Sequence, residues 1–326
     1  SLARHGTPDR GRSHGRTAAP AVRVAVAAMG CTFEALVWGD DPQWCEGVAT
    51  EALAEVERLD RQLSHYRSDS DIARLNAYAG SEWVRVEPAL FELLQRCADW
   101  TRATGGAFDV AVGALLGAWG FHHGSGRIPG ECEVRAALQA SGMARVELDR
   151  QTHLVHFGSP DLALNLGAVG KGYALDCAGD VLRFYGVERA VVHGGRSTIL
   201  AIGAPPGSDA WQFDIRDPRD RETVVATMSL RNAALSTSGS YRQYVEADGM
   251  QYGHILNPAD GRPARGVVSV WLTAPSAAEA DAMSTAAFVM GPGRAAAFAE
   301  SRPHLAFIML CDDGSAAAHV LKVGLP

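Results

Sequence analysis

Leu164-Asn165-Leu166-Gly167-Ala168-Val169-Gly170-Lys171-Gly172-Tyr173-Ala174-Leu175-Asp176 is the stretch on which the reading of this chain turns. The short apolar run from Leu162 to Leu166 reads as a buried strand. Gly167, Gly170 and Gly172 break it, an apolar-periodic segment from Tyr173 to Tyr185 follows, and Gly186 stands where a helix would end. A strand feeding a glycine-rich turn that opens a helix is a natural anion site. Glycine lets the backbone approach a ligand closely, and the N–H groups of the first helical turn point at it. Lys171 adds a positive charge inside the turn. Two familiar phosphate motifs do not fit. A P-loop needs Ser or Thr directly after its Lys, where this chain has Gly172, and the dinucleotide fingerprint needs a third glycine where this chain has Leu175. The stretch is therefore either a phosphate cradle of another kind or a tight strand-to-helix connection without a ligand.

Composition narrows the setting. A chain of 326 residues, 47% apolar and 21% charged, predicts a sizeable globular core with room for two subdomains. The net charge of −7 argues against nucleic acid as a partner, because neutralising phosphates needs a basic face. No apolar run approaches the roughly 18 residues of a membrane span. Cys31, Cys45, Cys97, Cys132, Cys177 and Cys311 are scattered without metal-type spacing and read as reduced core cysteines, the usage of a cytoplasmic protein. The Arg-, His- and Gly-rich start lacks the apolar segment of a signal peptide. Residues 1–21 read as a flexible arm before one domain at 22–326. Ser rather than Met at position 1 leaves open that an export segment was removed, so the cytoplasmic location stands as an expectation.

Along the chain, strand segments Val22–Ala28 and Thr32–Trp38 flank Met29-Gly30-Cys31, and an amphipathic helix follows over Val48–Leu63. Ser68, three before Asp71, reads as the cap of a short helix through Asn76. A strand at 83–86, helices at 89–103 and 132–140, and strands at 144–148 and 153–157 lead to the opening stretch. His122-His123, in a Gly/Ser loop, reads as a solvated pair rather than a metal site. Beyond Gly186 the chain is β-rich, with strands at 188–193, 198–202, 211–216, 223–230 and 267–273, and Asp248-Gly249 reads as a hairpin turn. Ser276 and Glu279 form a capping-box pattern before an Ala-rich helix that Gly291-Pro292 stops. Asp281 and Thr285, four apart, share one face of that helix. A last helix near 294–300 and strands at 304–311 and 316–323 complete an α+β pattern, mixed rather than strictly alternating.

Taken together, Met29-Gly30, Ser64-His65-Tyr66, Ala107-Phe108-Asp109, Gly167 to Tyr173, Gly194-Gly195, Ser236 to Gly239, His254 to Pro258 and Ala280 to Thr285 resemble, in this order, the ApbE family of FAD:protein FMN transferases. The resemblance covers nearly the whole chain from about residue 24. It implies an α+β fold of two intertwined subdomains with FAD in the cleft between them. It implies transfer of the FMN half of FAD to a Ser or Thr hydroxyl of an acceptor protein carrying Asp-x-x-(Ser/Thr)-Gly-Ala-(Ser/Thr), release of AMP, and a requirement for Mg²⁺ or Mn²⁺. Carried over residue by residue, Asp281, Thr285 and the backbone carbonyl of Ala168 would hold the metal. Met29, Tyr66, Ala107, Phe108, Asp109, Asn165, Gly170, Lys171 and Ile255 would lie along the FAD, and His254 beside its pyrophosphate.

The chemistry of these residues agrees with that assignment. Phosphoryl transfer depends mostly on positioning and charge neutralisation, which a hard cation with oxygen ligands, Lys171 and the glycine turn supply. His254 is the natural base for the acceptor hydroxyl at neutral pH, its other role being to orient the phosphate. The chain departs from the family at three places: Asn165, Arg196 after the double glycine, and Asn257 before Pro258 often stand as Asp, Asp or Asn, and Asp in relatives. These departures put the acceptor-site geometry in doubt rather than FAD binding. The alternatives are a metal-dependent FAD pyrophosphatase, with water replacing the acceptor, and a non-catalytic FAD-binding protein. The oligomeric state is open.

Overall fold

The computed structural model of the chain describes residues 21–123, 126–220, 222–240, 244–247, 250–312 and 319–325. The arm expected at 1–21, apart from Ala21, and the Asp248-Gly249 turn lie outside them. Among the described residues seven α-helices are found: α1 (Pro42–Leu63), α2 (Asp71–Tyr78), α3 (Pro88–Ala103), α4 (Gly113–Ala118), α5 (Glu131–Gln139), α6 (Gly170–Phe184) and α7 (Ala277–Glu300). They are interspersed with antiparallel strands, as the α+β pattern predicts. The chain divides into two compact units, and α1, α6 and α7 each run from one into the other.

The first unit comprises residues up to Leu59, Lys171–Ser236 and Thr273–Ala280. Strands Val22–Ala28, Cys31–Val37, Ala190–Gly194 and Thr198–Ile202, then residues 233–236, lie side by side in that order, every pair antiparallel. Ala28 pairs with Cys31, so Met29 and Gly30 alone make the turn, with φ of 49° and 70°. Positive φ at both central residues is the hairpin turn that suits the strand twist, and it holds Met29 in a region non-glycine residues rarely enter. Arg196, at φ 61°, occupies a similar position in the three-residue loop between paired Gly194 and Thr198. Asn or Asp would tolerate that conformation better than Arg does. α1 starts at Pro42, earlier than the apolar periodicity indicates, because the Asp41 carboxylate accepts from the amides of Gln43 and Trp44. Val48, Leu53, Val56 and Leu59 form its buried stripe. α6 ends as expected at Gly186. The Gly186 amide donates to Arg183 and the Val187 amide to Leu182, a Schellman closure with Gly186 at φ 78°.

The second unit comprises Asp60–Gly170, Thr237–Leu272 and Asp281 onward. Its small sheet places Leu154–Phe157 between Val84–Arg85 and Val146–Asp149. The N-cap of α2 is Ser70, whose hydroxyl accepts from the Ala73 amide at 2.9 Å, and not Ser68. Leu162–Leu166 is no strand. It joins no ladder, its backbone satisfied piecemeal: the Ala163 carbonyl accepts from Gly113, the Leu164 amide and carbonyl bond the two ends of the Asn76 side-chain amide, and the Asn165 amide donates to Val110. The Asn76 side chain and the backbone at Val110 and Gly113 together do the work of a neighbouring strand. The hairpin of Tyr244–Ala247 with Met250–Gly253 is present. A second core cluster gathers Leu115, Trp119, Phe121, Ala137 and Leu256. α7 kinks at Gly291, which is non-helical at φ 72°, before Pro292 opens its last stretch. All six cysteines are free; Cys45, Cys97 and Cys311 are buried as expected, Cys31 and Cys177 half-buried and Cys132 exposed. Among the described residues no helix is long and apolar enough to cross a membrane.

Candidate active site

Within the first unit, the helix α6 is built to seat the start of α7. A Cβ on Gly172 would lie 2.1 Å from the Ala277 carbonyl oxygen and 2.7 Å from the Ala278 nitrogen, so the two backbones touch where only glycine fits. One turn on, the Asp176 carboxylate accepts from the amides of Ala277 at 2.7 Å and Ala278 at 2.9 Å. Ser276 adds its hydroxyl, accepting from the Glu279 amide at 3.2 Å. The serine half of the capping-box pattern read from Ser276 and Glu279 is thus seen, and Asp176, which local sequence gave no reason to link to it, adds a charged cap with two bonds.

The same helix continues into the second unit with Asp281 and Thr285. Asp281 is only 4% exposed and Thr285 is half-buried. A small hydroxyl network holds this face. Ser238 Oγ lies 2.8 Å from Ser284 Oγ and 3.2 Å from Thr285 Oγ1, Ser284 Oγ donates to the Asp281 carbonyl at 3.0 Å, and Ser269 Oγ donates to the Ser238 carbonyl at 3.1 Å. Ser238 stands in the Ser236-Thr237-Ser238-Gly239 motif, yet its orienting role is not legible without the fold. A buried carboxylate with a neighbouring hydroxyl is a hard-oxygen donor set of the kind Mg²⁺ or Mn²⁺ takes. Among the described residues no three His, Cys, Asp or Glu side chains gather into a metal cluster, so such a cation would draw on Thr285 and a backbone carbonyl such as that of Ala168.

The glycine turn differs from the expected cradle. The Gly167 amide donates to Asn165 Oδ1 at 2.8 Å, and those of Val169 and Gly170 both donate to the Leu166 carbonyl. These N–H groups are committed inside the protein and do not await an anion. Lys171 lies half-buried in the first turn of α6, the cationic side chain of the glycine turn.

Around Asn165 the second unit assembles several predicted residues. The Asn165 amide nitrogen is 3.4 Å from the His65 ring, which is tilted against Tyr66 at 3.7 Å between centroids and meets His122 edge-on at 5.2 Å. Tyr66 itself is exposed, an aromatic surface open to a ligand. His122 is not a solvated side chain: its Nε2 lies 2.8 Å from the Gly113 carbonyl. Ala107 and Phe108 are buried, with Phe108 edge-on to Trp100. Asp109 accepts from the amides of Ala111 at 2.7 Å and Met143 at 2.9 Å, tying two loops together; burial pushes its carboxyl up, against the pull of those two amides. His254 is half-buried with Phe121 edge-on at 6.5 Å, and the Ile255 carbonyl accepts from Ala264.

Residues 29–309 match the profile of the ApbE family. A FAD:protein FMN transferase of Salmonella typhimurium is 32% identical over 307 residues, spanning 91% of this chain and 87% of its own. The ApbE protein of Thermotoga maritima superposes with a TM-score of 0.84 at 29% identity, covering 93% of this chain and 97% of its own. The apo form of the flavinyl transferase ApbE of Pseudomonas stutzeri does so with a TM-score of 0.82 at 30% identity, covering 93% and 94%.

Proposed function

The chain belongs to the ApbE family, and from that membership we propose that it is a flavin transferase that moves the FMN half of FAD onto a Ser or Thr hydroxyl of an acceptor flavoprotein. The α+β fold is that of the crystallised members. In the reaction, the acceptor oxygen bonds to the phosphorus of the FMN half. The bond from that phosphorus to the bridging oxygen breaks, and AMP leaves with that oxygen. The hydroxyl proton passes to His254. Lys171 supplies a positive charge to the pyrophosphate. Asp281, Thr285 and the Ala168 carbonyl would hold Mg²⁺ or Mn²⁺, which when bound neutralises phosphate charge and eases departure of AMP. Tyr66 offers a ring to the flavin or adenine.

The observation that carries this reading is the Asp281 face: a buried carboxylate and a hydroxyl one turn apart, with the hydroxyl fixed by Ser238. The test incubates the protein with FAD and Mg²⁺, with and without an acceptor bearing the Asp-x-x-(Ser/Thr)-Gly-Ala-(Ser/Thr) pattern, and follows AMP and acceptor mass. AMP with a fluorescent adduct of FMN mass is the expected result. AMP with free FMN and no adduct would make it a pyrophosphatase, and intact FAD would leave a binding protein.

A further inference from the structure

A pocket of about 390 Å³ opens in the second unit beside the segment that follows His254, and none of the residues assigned above to FAD or metal lines it. Trp119 and Tyr252 supply aromatic surface, and Asn257, Asp260, Arg262 and Arg265 supply polar groups. Most of these polar groups are already matched. The Arg262 guanidinium is bonded to Glu131, and the Asp260 carboxylate accepts from the Asn257 side chain at 3.0 Å and the Arg262 amide at 2.9 Å. Arg265 is the exception. Its guanidinium lies 5.4 Å from the Tyr252 ring centroid, and among the described residues it has no carboxylate partner. A guanidinium held on an aromatic face keeps its N–H donors for an anion.

A row of rings joins the pocket to His254. Rings follow one another from Tyr252 to Trp119 at 5.8 Å, from Trp119 to Phe121 at 6.4 Å and from Phe121 to His254 at 6.5 Å. Trp119 is buried and locked by its indole N–H, which donates to the Gly261 carbonyl at 2.8 Å. A group bound at Arg265 thus lies at one end of the row whose other end is the candidate base.

We propose that this pocket docks the acceptor protein, with Arg265 taking a carboxylate side chain that lies near the acceptor hydroxyl in the acceptor's sequence. The proposal rests on the transferase reading. A single carboxylate suits the pocket better than a pyrophosphate, because Asp260 lines the same wall and repels a polyanion more strongly. The Asp260 oxygens retain lone pairs for the N–H groups of an extended peptide. Trp119 and Tyr252 cover its apolar parts. The ion pair forms at the pocket mouth, where a charged hydrogen bond decides register and partner choice.

The test is a cycle of two enzymes and two acceptors: wild type and Arg265→Gln, each with an acceptor bearing the pattern's Asp or with Asn in its place. The expected result is that Arg265→Gln raises KM for the Asp acceptor about tenfold to a hundredfold. The Asn acceptor is as poor with wild type, and Arg265→Gln adds no further loss to it. FAD affinity and AMP release without acceptor stay unchanged. Arg265→Glu should recover transfer to an acceptor with Lys at that position. Equal losses on both acceptors would overturn the carboxylate assignment. Weakened FAD binding in Arg265→Gln would assign the pocket to a phosphate of FAD instead. If wild type modifies neither acceptor while still releasing AMP, the transferase reading fails first and the docking site falls with it.

Discussion

The carboxylate of Asp176, on α6, caps the first two amides of α7 at Ala277 and Ala278. The helix that carries Asp281 and Thr285 is thus started by a residue a hundred positions away in sequence. Removing a charged cap leaves two helix-end donors without their acceptor. Asp176→Ala should cost about 1–3 kcal/mol in urea unfolding, and Asp176→Asn clearly less. An unchanged unfolding midpoint in the alanine variant would show that water replaces the carboxylate without loss.

Gly172 and Gly170 make a matched pair of tests. A Cβ at Gly172 would overlap the Ala277 carbonyl carbon at 2.4 Å, whereas one at Gly170 meets nothing nearer than Leu166 Cβ at 3.9 Å. Gly172→Ala should therefore destabilise by about 1–3 kcal/mol, since backbone must move to admit it. Gly170→Ala should be neutral or stabilising by up to about 1 kcal/mol, because Gly170 opens α6 without a positive φ and with room for a Cβ. If instead Gly170→Ala lost FAD affinity at unchanged stability, that glycine would be serving a ligand.

That pair also shows where the sequence could be read and where it could not. The glycine-rich stretch announced a close backbone approach, and there is one, but at Gly172 the approaching partner is α7. Nothing in a one-dimensional pattern says which backbone comes near. Leu162–Leu166 has the apolar content of a strand, yet the Asn76 side chain satisfies the Leu164 backbone in place of a full ladder, which period-2 reasoning does not see. Ser276 and Gly291 bracket the main run of α7 as read, because caps and breakers act within a few residues. The positive φ at Arg196 gives the departure there a local meaning, a cost in turn geometry. The hydroxyl network on Ser238 and the row from Arg265 to His254 join segments far apart in the chain, so only the fold reveals them.

His193 sets a pH dependence in the first unit. It is buried, and neither ring nitrogen has a well-aligned hydrogen bond, although Glu34 Oε2 lies 3.3 Å from Nε2. Burial, the larger influence, holds its pKa below the ordinary histidine value against the opposing pull of Glu34. For Glu34, burial alone would raise the pKa, but the Arg23 hydrogen bond and the charges around it bring it below the usual carboxylate value. An unfolded imidazole takes a proton near about pH 6.5, while the folded one resists until lower pH. The stability from a neutral His193 is therefore complete above that value and lost as pH falls below it; the Glu34 contribution is lost further down. Urea midpoints at pH 7.5 and 5.5 should fall in the wild type, and the fall should be shallower in His193→Gln. An equally steep fall in both would place the titration elsewhere.

His254→Ala separates base from binder. If His254 receives the acceptor proton, its loss should lower the transfer rate about 10²–10⁴-fold while FAD affinity changes little. A loss of FAD affinity that matches the loss of rate would leave His254 with the orienting role alone.

The face of α7 yields the sharpest ordering. Asp281 and Thr285 are the proposed cation ligands, and Ser238 Oγ meets Thr285 Oγ1 and Ser284 Oγ. If Thr285 is a ligand and Ser238 its positioner, Asp281→Ala should abolish AMP release at any Mg²⁺ concentration tested. Ser238→Ala, which leaves both proposed ligands in place but frees the Thr285 hydroxyl to turn, should instead raise the Mg²⁺ needed for half-maximal rate, with the saturated rate largely kept. Calorimetric titration of the FAD-loaded protein with Mn²⁺ should give the same order of affinities, wild type above Ser238→Ala above Asp281→Ala. The serine change also removes a buried hydrogen bond and should cost about 1 kcal/mol of stability. A Ser238→Ala protein that is destabilised yet binds Mn²⁺ as wild type does would make the hydroxyl network a matter of packing. A Thr285→Ala protein that behaves likewise would remove Thr285 from the ligand set and leave Asp281 to be completed by other oxygens.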